Sequence, residues 1–374
     1  MRFYIIAGEA SGDLHAANLI KEIRKIQPGS IFRGLGGDLM KEQGVSLLKH
    51  YRQTAFMGFV EVIKNLKKIL GFISECKKDI LEWKPDAIIL VDYPGFNLRI
   101  AEFAKQNGYK VFYYISPQVW AWKASRVKKI KRDVDRMFVI LPFEKDFYKT
   151  WNYEVDFVGH PLLDAVKDFV PEKLYLKNDS EPNQIEKPVI AILPGSREME
   201  ITKILPVMLE VVDAFPEYQF VVAAINSIEE SFYKKIIGEK NCILLFNKTY
   251  SLLANSRAAL VASGTATLET AIFSVPQIVC YRGNAISFWI AKRLVDVKYI
   301  SLVNLILDRQ LIKELIQADL TKENIIIELN RILLDEIKRT EIFSGYKELQ
   351  EKLGGPSASL KTAQSILESM KQEG

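Results

Sequence analysis

Ala258-Ala259-Leu260-Val261-Ala262-Ser263-Gly264-Thr265-Ala266-Thr267-Leu268-Glu269 passes from an unbroken apolar run, through a turn of small residues, into a helix start. An apolar run that short, with no polar alternation, fits a strand buried on both faces of a parallel sheet. Strand, tight turn and helix in that order form the repeating unit of an open α/β fold. The helix start leaves backbone N–H groups unpaired at the positive end of its dipole, which suits a phosphate. A capped helix behind a buried strand has the same sequence, so the turn alone leaves both readings open.

The same order recurs on either side. In the first half, strands are expected at Phe3–Ala7, Ala87–Val91, Val111–Ile115 and Arg136–Leu141, with helices at His15–Ile26, Arg99–Asn107 and Ala124–Arg132. In the second half, strands are expected at Val189–Leu193, Gln219–Ala224, Ile243–Leu245, Ala258–Ala262 and Gln277–Tyr281, with a helix at Lys203–Phe215. Pro171 to Pro188 is polar and reads as an exposed connection. Residues 322–373 read as helical, broken near Gly354-Gly355-Pro356. The expected organisation is a first α/β domain over 1–170, the connection over 171–188, a second α/β domain over 189–340, and C-terminal helices over 341–374 that pack back on the first domain. The fold class is α/β, with two Rossmann-like, doubly wound parallel sheets facing a cleft. In such sheets ligands sit beyond the carboxyl ends of the strands.

A chain of 374 residues is long for a single core. Its 48% hydrophobic and 26% charged residues are those of a globular protein, and a net charge of +5 does not call for nucleic acid. Cys76, Cys242 and Cys280 have no paired spacing, which points to a reducing, cytoplasmic setting. No apolar run reaches the ~18 residues of a membrane span, so any membrane contact is peripheral. The N-terminus lacks the apolar core of a signal peptide. His15, His50 and His160 show no paired-ligand spacing, so no metal is expected. Asp133-Val134-Asp135 spells a metal–diphosphate motif, but it precedes a strand and so lies at the wrong edge of the sheet.

Several segments stand at strand ends, where chemistry is done. Ala7-Gly8-Glu9-Ala10-Ser11-Gly12-Asp13 follows the first strand, with Glu9 as a site-lining carboxylate and Ser11 and Asp13 as capping types. Asp92 follows Ala87–Val91 directly, and Pro94-Gly95 turns the chain there. An Asp in a partly apolar setting can serve as a general base, or it can simply cap a turn. Arg197 follows Leu193-Pro194-Gly195-Ser196, where its guanidinium can pair with a diphosphate. Glu269 lies one helical turn beyond Thr265; it would repel phosphate but suits a ribose diol. Together these features point to a nucleotide or a nucleotide-sugar. Trp120 and Trp122 adjoin the basic run Arg126 to Arg132, which suits an anionic ligand or a solvated helix face. Phe59, Val62, Ile63, Leu66, Ile69, Leu70 and Ile73 recur at helical spacing among lysines. That pattern fits a helix on a sheet or one lying in a membrane interface.

Assembled in order, AGEASGD (Ala7–Asp13), GLGG (Gly34–Gly37), DYPGFN (Asp92–Asn97), SPQVWAW (Ser116–Trp122), LPFEKDFY (Leu141–Tyr148), VGHPLLD (Val158–Asp164), LPGSR (Leu193–Arg197), ASGTATLE (Ala262–Glu269) and VNLI (Val303–Ile306) resemble the lipid A disaccharide synthase family. The resemblance implies an inverting, metal-independent glycosyltransferase of the GT-B type. UDP-2,3-diacylglucosamine would donate its sugar to 2,3-diacylglucosamine 1-phosphate, giving a β-1′,6-linked disaccharide 1-phosphate and UDP. It assigns Asp92 as the base, and Arg197, Ser263, Gly264, Thr265, Thr267, Glu269 and Asn304 to the UDP-sugar. Glu9, Ser11, Trp120 and Trp122 fall to the acceptor side. Phe59, Val62, Ile63, Leu66, Ile69 and Leu70 become the membrane and acyl contact at the inner leaflet. No cofactor is implied, and a homodimer is compatible with the family. A UDP-N-acetylglucosamine 2-epimerase-like enzyme shares the fold, the GHP segment and the SGT turn, and it is the rival enzyme reading. An RNA-binding reading of Trp120–Arg132 leaves Asp92 and Ser263–Glu269 unexplained.

Overall fold

The computed structural model describes all residues except 55–65, 121–123, 168, 173, 179–180, 185–186, 284–297 and 372–374, and leaves the side chains of 54, 66–67, 175–178 and 181–184 undescribed. The chain forms two compact units, Met1–Asp168 with Leu353–Gly374, and Phe169–Lys352.

The first unit is built on a seven-stranded parallel sheet. Its strands are β1 (Arg2–Ala7), β2 (Ile31–Gly36), β3 (Ser46–His50), β4 (Ala87–Val91), β5 (Lys110–Tyr114), β6 (Arg136–Val139) and β7 (Asp156–Phe157), in the spatial order β3-β2-β1-β4-β5-β6-β7. The order reverses between β1 and β4, so this is a doubly wound sheet with its switch point there. β4 is apolar throughout, and β1 and β5 are apolar after their first residues, Arg2 and Lys110, because both faces are covered. Phe3, Ile5, Ile89 and Phe112 pack on one side; Tyr4, Ile6, Ile88, Leu90 and Tyr113 pack on the other.

The second unit repeats the plan after an antiparallel pair, β8 (Tyr175–Asn178) and β9 (Glu181–Gln184). Six parallel strands follow: β10 (Val189–Leu193), β11 (Gln219–Ala224), β12 (Cys242–Phe246), β13 (Ser256–Ala262), β14 (Gln277–Tyr281) and β15 (Lys313–Ile316). Their order is β12-β11-β10-β13-β14-β15, and the switch point lies between β10 and β13.

Some expectations need correction. The polar stretch 171–188 is not a bare connection: it holds the β8–β9 pair, and Leu174 is buried in the core of the second unit. The expected strand through Leu141 ends at Val139, because the Glu144 carboxylate takes up the N–H groups of Ile140 and Leu141. The helix expected from Arg99 begins at Pro94, whose fixed φ and missing N–H suit a first turn. β2, β3 and β15 went unread because glycine and charged residues interrupt them. Gly34 shows the cause: at φ 152° a methyl group there would lie 1.9 Å from the Ile5 carbonyl oxygen on β1.

The C-terminal helices divide between the units. Glu336–Lys352 stays with the second, where the Tyr346 hydroxyl donates to the Val275 carbonyl at 3.1 Å. Ala358–Lys371 packs on the first, burying Ala363, Ile366 and Leu367 against Ala16, Leu19 and Ile20. The GHP segment receives this returning chain. His160 N–H donates to the Leu353 carbonyl at 2.9 Å, and Asp164 accepts from Ser357 N–H at 2.5 Å and Ser359 N–H at 2.8 Å, capping the last helix.

Candidate active site

In the first unit Ala7 of β1 is paired with Val91 of β4. Glu9 and Asp92 therefore leave neighbouring strands at the carboxyl edge, beside the switch point. Asp92 and Tyr93 are both left-handed, at φ 46° and 48°, and neither is glycine. Such residues cost on the order of 1 kcal/mol or more each and persist only where the surroundings enforce them. Here they are enforced. The Asp92 carbonyl accepts from Asn97 Nδ2 at 2.7 Å and from the Tyr113 hydroxyl at 2.6 Å, and its N–H donates to the Tyr114 carbonyl at 3.0 Å. The Tyr93 ring stacks on Phe96 with centroids 5.5 Å apart. It also covers Gly8, where a methyl group would come within 2.3 Å of the ring. The first glycine of AGEASGD is thus the space that the DYPGFN turn occupies.

Burial, and then the charge of Glu9, push the Asp92 carboxyl up to about 6, against a hydrogen bond from the Tyr93 backbone. A carboxyl near that value is ionised at neutral pH yet is a far better proton acceptor than an ordinary one, as a general base requires. Ser11 is exposed at the start of the helix Ala10–Ile26. Asp13 plays a structural part: it is buried and accepts from the N–H groups of Gly37 at 2.7 Å, Leu39 at 3.1 Å and Met40 at 3.2 Å. It thereby ties AGEASGD to GLGG.

Trp120 is half-buried, edge-on to Phe143 at 4.8 Å; Trp122 lies outside the described residues. Beneath Trp120, burial raises the Glu144 carboxyl to about 7, opposed by the Leu141 and Ile140 N–H groups, Ser116 and Trp120. Phe59, Val62 and Ile63 lie outside the described residues, as does the side chain of Leu66. Ile69 differs from the expected membrane contact: it packs against the core, as does the buried Ile73. Leu70, on the other face of the helix Leu66–Trp83, is 47% exposed.

In the second unit Leu193 of β10 is paired with Val261 of β13, so the Arg197 loop and the Ser263 turn flank the second switch point. Arg197 is exposed and, among the described residues, pairs with Glu200 at 3.5 Å. An exposed pair of that kind contributes at most about 1 kcal/mol, so it yields readily to an anion. Gly195 and Gly264, at φ 108° and 148°, turn the chain in conformations that side chains resist. Thr265 is exposed at the end of this turn. Ser263 Oγ donates to the Ile300 carbonyl at 3.0 Å. Glu269 is half-buried and accepts from the Tyr250 hydroxyl at 3.2 Å, and burial raises its pKa.

Two expected donor contacts are corrected. Thr267 is fully buried, and its hydroxyl donates to the Gly264 carbonyl at 2.8 Å, so it closes the turn from within. Asn304 is also fully buried, with no capacity to spare. Its Nδ2 donates to the Ile312 carbonyl and to Glu314 at 2.9 Å each, and its Oδ1 accepts from the N–H groups of Leu311 and Ile312. Glu314, Ser301 and Asn304 form one network that fixes the segment whose Ile300 carbonyl supports Ser263. Tyr250 and Glu314 were not read from sequence, since neither stands in a strand-end motif.

Among the described residues no group of three or more His, Cys, Asp or Glu side chains could hold a metal ion, and no helix is long and apolar enough to cross a membrane.

Comparison with known proteins meets this geometry. The family profile described as lipid-A-disaccharide synthetase matches residues 3–368. The chain belongs to the lipid-A-disaccharide synthetase family. It is 41% identical to the lipid-A-disaccharide synthase of Syntrophus aciditrophicus, covering 98% of this chain and 97% of that one. It is 38% identical to that of Myxococcus xanthus, with the same coverage of 98% and 97%. Among solved structures, it superposes on the Neisseria meningitidis UDP-GlcNAc 2-epimerase bound to UDP-GlcNAc with a TM-score of 0.65 at 14% identity, covering 100% of both chains. It superposes on the kitacinnamycin glycotransferase with a TM-score of 0.64 at 13% identity, covering 99% and 98%. Those likenesses are of fold: two parallel-sheet α/β domains, as in GT-B glycosyltransferases. Family membership makes the protein an enzyme, a glycosyltransferase of lipid A biosynthesis.

Proposed function

We propose that the protein transfers the sugar of UDP-2,3-diacylglucosamine to 2,3-diacylglucosamine 1-phosphate, giving the β-1′,6-linked disaccharide 1-phosphate and UDP. The observation that carries the mechanism is the Glu9–Asp92 carboxylate pair at the switch point of the first sheet, with Asp92 raised to about 6. The acceptor oxygen attacks the anomeric carbon while the bond from that carbon to the diphosphate oxygen breaks. The acceptor proton passes to Asp92, and the bonding pair leaves on UDP. One displacement on an α-linked donor gives a β-linked product without a covalent enzyme intermediate. Arg197 and the backbone of the Ser263–Thr265 turn take up the charge that develops on the diphosphate, in place of a metal. Glu269 reads the ribose, with Tyr250 holding its carboxylate. Glu9, Ser11, Trp120 and Trp122 serve the acceptor. The first unit therefore supplies the base, and the second holds the nucleotide.

The substrates carry acyl chains, so the protein works as a peripheral enzyme at the inner leaflet. Phe59, Val62, Ile63, Leu66 and Leu70 form its apolar contact on this reading; Ile69, half-buried, packs against the core. A homodimer is compatible with this arrangement. The epimerase reading shares the fold, but the family match does not favour it.

The test is a direct assay with both acylated substrates in the presence of a chelator, following UDP release and the disaccharide product. Product at an undiminished rate is expected. Asp92→Asn should lower turnover at least about 100-fold and leave the affinity for the UDP-sugar within about twofold. Near-normal turnover of that variant would remove Asp92 from the mechanism.

A further inference from the structure

The turn that carries Asp92 is strained in an unusual way, and the strain extends to its neighbour. Asp92 and Tyr93 are consecutive left-handed residues at the end of β4. Ile115, at the end of the adjacent strand β5, is left-handed too, at φ 65°, although it is β-branched. Left to itself, a chain with these residues relaxes to φ below zero. The Asp92 carbonyl then turns over, and the carboxylate leaves its place beside Glu9.

Two buried side chains prevent this. Asn97 is fully buried in the first turns of the helix Pro94–Gln106, and its Nδ2 spans both the Val91 carbonyl at 3.2 Å and the Asp92 carbonyl at 2.7 Å. Tyr113 is fully buried on β5 and reaches the same Asp92 carbonyl at 2.6 Å. The two side chains also lie against each other, Asn97 beside the Tyr113 hydroxyl. One carbonyl oxygen thus takes two donors from two different elements. That fixes the orientation of its peptide plane, and with it the direction of the Asp92 side chain. Both of these hydrogen bonds go to the main-chain oxygen of Asp92.

We propose that Asn97 and Tyr113 are positioning residues for the transfer, clamping the Asp92 carbonyl so that the left-handed turn aims its carboxylate at the acceptor hydroxyl. The inference rests on the reading of Asp92 as the base. Asn97 is the last residue of the DYPGFN segment, and Tyr113 lies in a buried strand that no motif marks. A bare turn-stabilising role would show as lost stability alone; a positioning role shows in kcat and in its pH dependence.

Tyr113→Phe removes one oxygen and leaves the core packing in place. It should lower kcat about 10-fold with both KM values within twofold, because a small misplacement of a reacting group costs that much or more. Asn97→Leu should lower kcat further, about 30-fold to 100-fold. In both variants the released carboxyl group moves towards solvent, so the acid limb of kcat should shift to lower pH. The groups facing this centre are Glu9 and Tyr93 around Asp92, with Tyr148 and Arg126 around Tyr113. In the Asp92→Asn background, Tyr113→Phe should cost nothing more. If Asn97→Leu does not fold, Tyr113→Phe decides alone. If Asp92→Asn is inactive while Tyr113→Phe keeps the wild-type kcat and acid limb, positioning is overturned and the base reading stands. If Asp92→Asn is fully active, the base reading fails and the proposal fails with it.

Discussion

On the proposed mechanism, Asp92 sets stability against activity. Burial and Glu9 hold its carboxyl at about 6, against an ordinary value of 3.8. Its folded value is raised, so folding favours the neutral form. The associated stability is fully present below the ordinary value and is lost as pH rises through about 6. Asp92→Asn stays neutral at every pH. It should therefore unfold at higher urea concentration than the wild type at pH 7.5, by about 2–3 kcal/mol in the first unit, and show no such gain at pH 3.5. An equal midpoint at pH 7.5 would mean that the carboxylate is well solvated. The same titration should bring wild-type turnover down about tenfold per pH unit below about 6. The position of Asp92 was legible because it follows five apolar residues at the end of β4. Its partner was not: Glu9 becomes a neighbour only because β1 pairs with β4. Thr267 and Asn304 teach the converse. Each stands in a matching motif, but a side chain's direction depends on what lies behind it, and both turn inward.

Among the elements, the short helix Asp38–Glu42 depends on a residue from another motif. Asp13 accepts three of the N–H groups around its start, and it is itself buried. Asp13→Ala leaves those donors unpaired and should destabilise the first unit by about 2–3 kcal/mol. Asp13→Asn, which keeps an acceptor, should lose less. A urea titration that returned wild-type midpoints for Asp13→Ala would show that water replaces the carboxylate without loss. UDP binding, assigned to the second unit, should persist in either variant. Asp13 was readable as a capping type, but the helix it caps could not be named, since β2 lies between them in sequence. Most of the expected strands that formed are buried on both faces; β12, an apolar but half-buried edge strand, was legible from its apolar run alone. β2, β3 and β15 carry polar or glycine residues, and they owe their conformation to the neighbours they pair with.

At the scale of the molecule, chain order and core membership part company. Ala358–Lys371 follows the whole second unit in sequence yet completes the core of the first. Ile366 is fully buried there. Ile366→Ala should cost about 2–5 kcal/mol and lower only the unfolding transition of the first unit. Two units with separate cores need not unfold together, so calorimetry can resolve the two transitions. A shift confined to the transition that bound UDP stabilises would overturn this assignment.

By itself the sequence determined the α/β class, the doubling of the plan, the strand ends to which the proposed chemistry is assigned, and the family. These follow from local pattern: apolar runs, small-residue turns and ordered motifs are properties of contiguous residues. Only the tertiary structure decided which strand ends are neighbours, and so that Asp92 sits beside Glu9 and the Arg197 loop beside the Ser263 turn. It alone decided that Thr267 and Asn304 face inward and that Asn97 and Tyr113 hold one carbonyl. Strand order, side-chain direction and hydrogen-bond closure depend on residues far apart in the chain, and no local pattern encodes them.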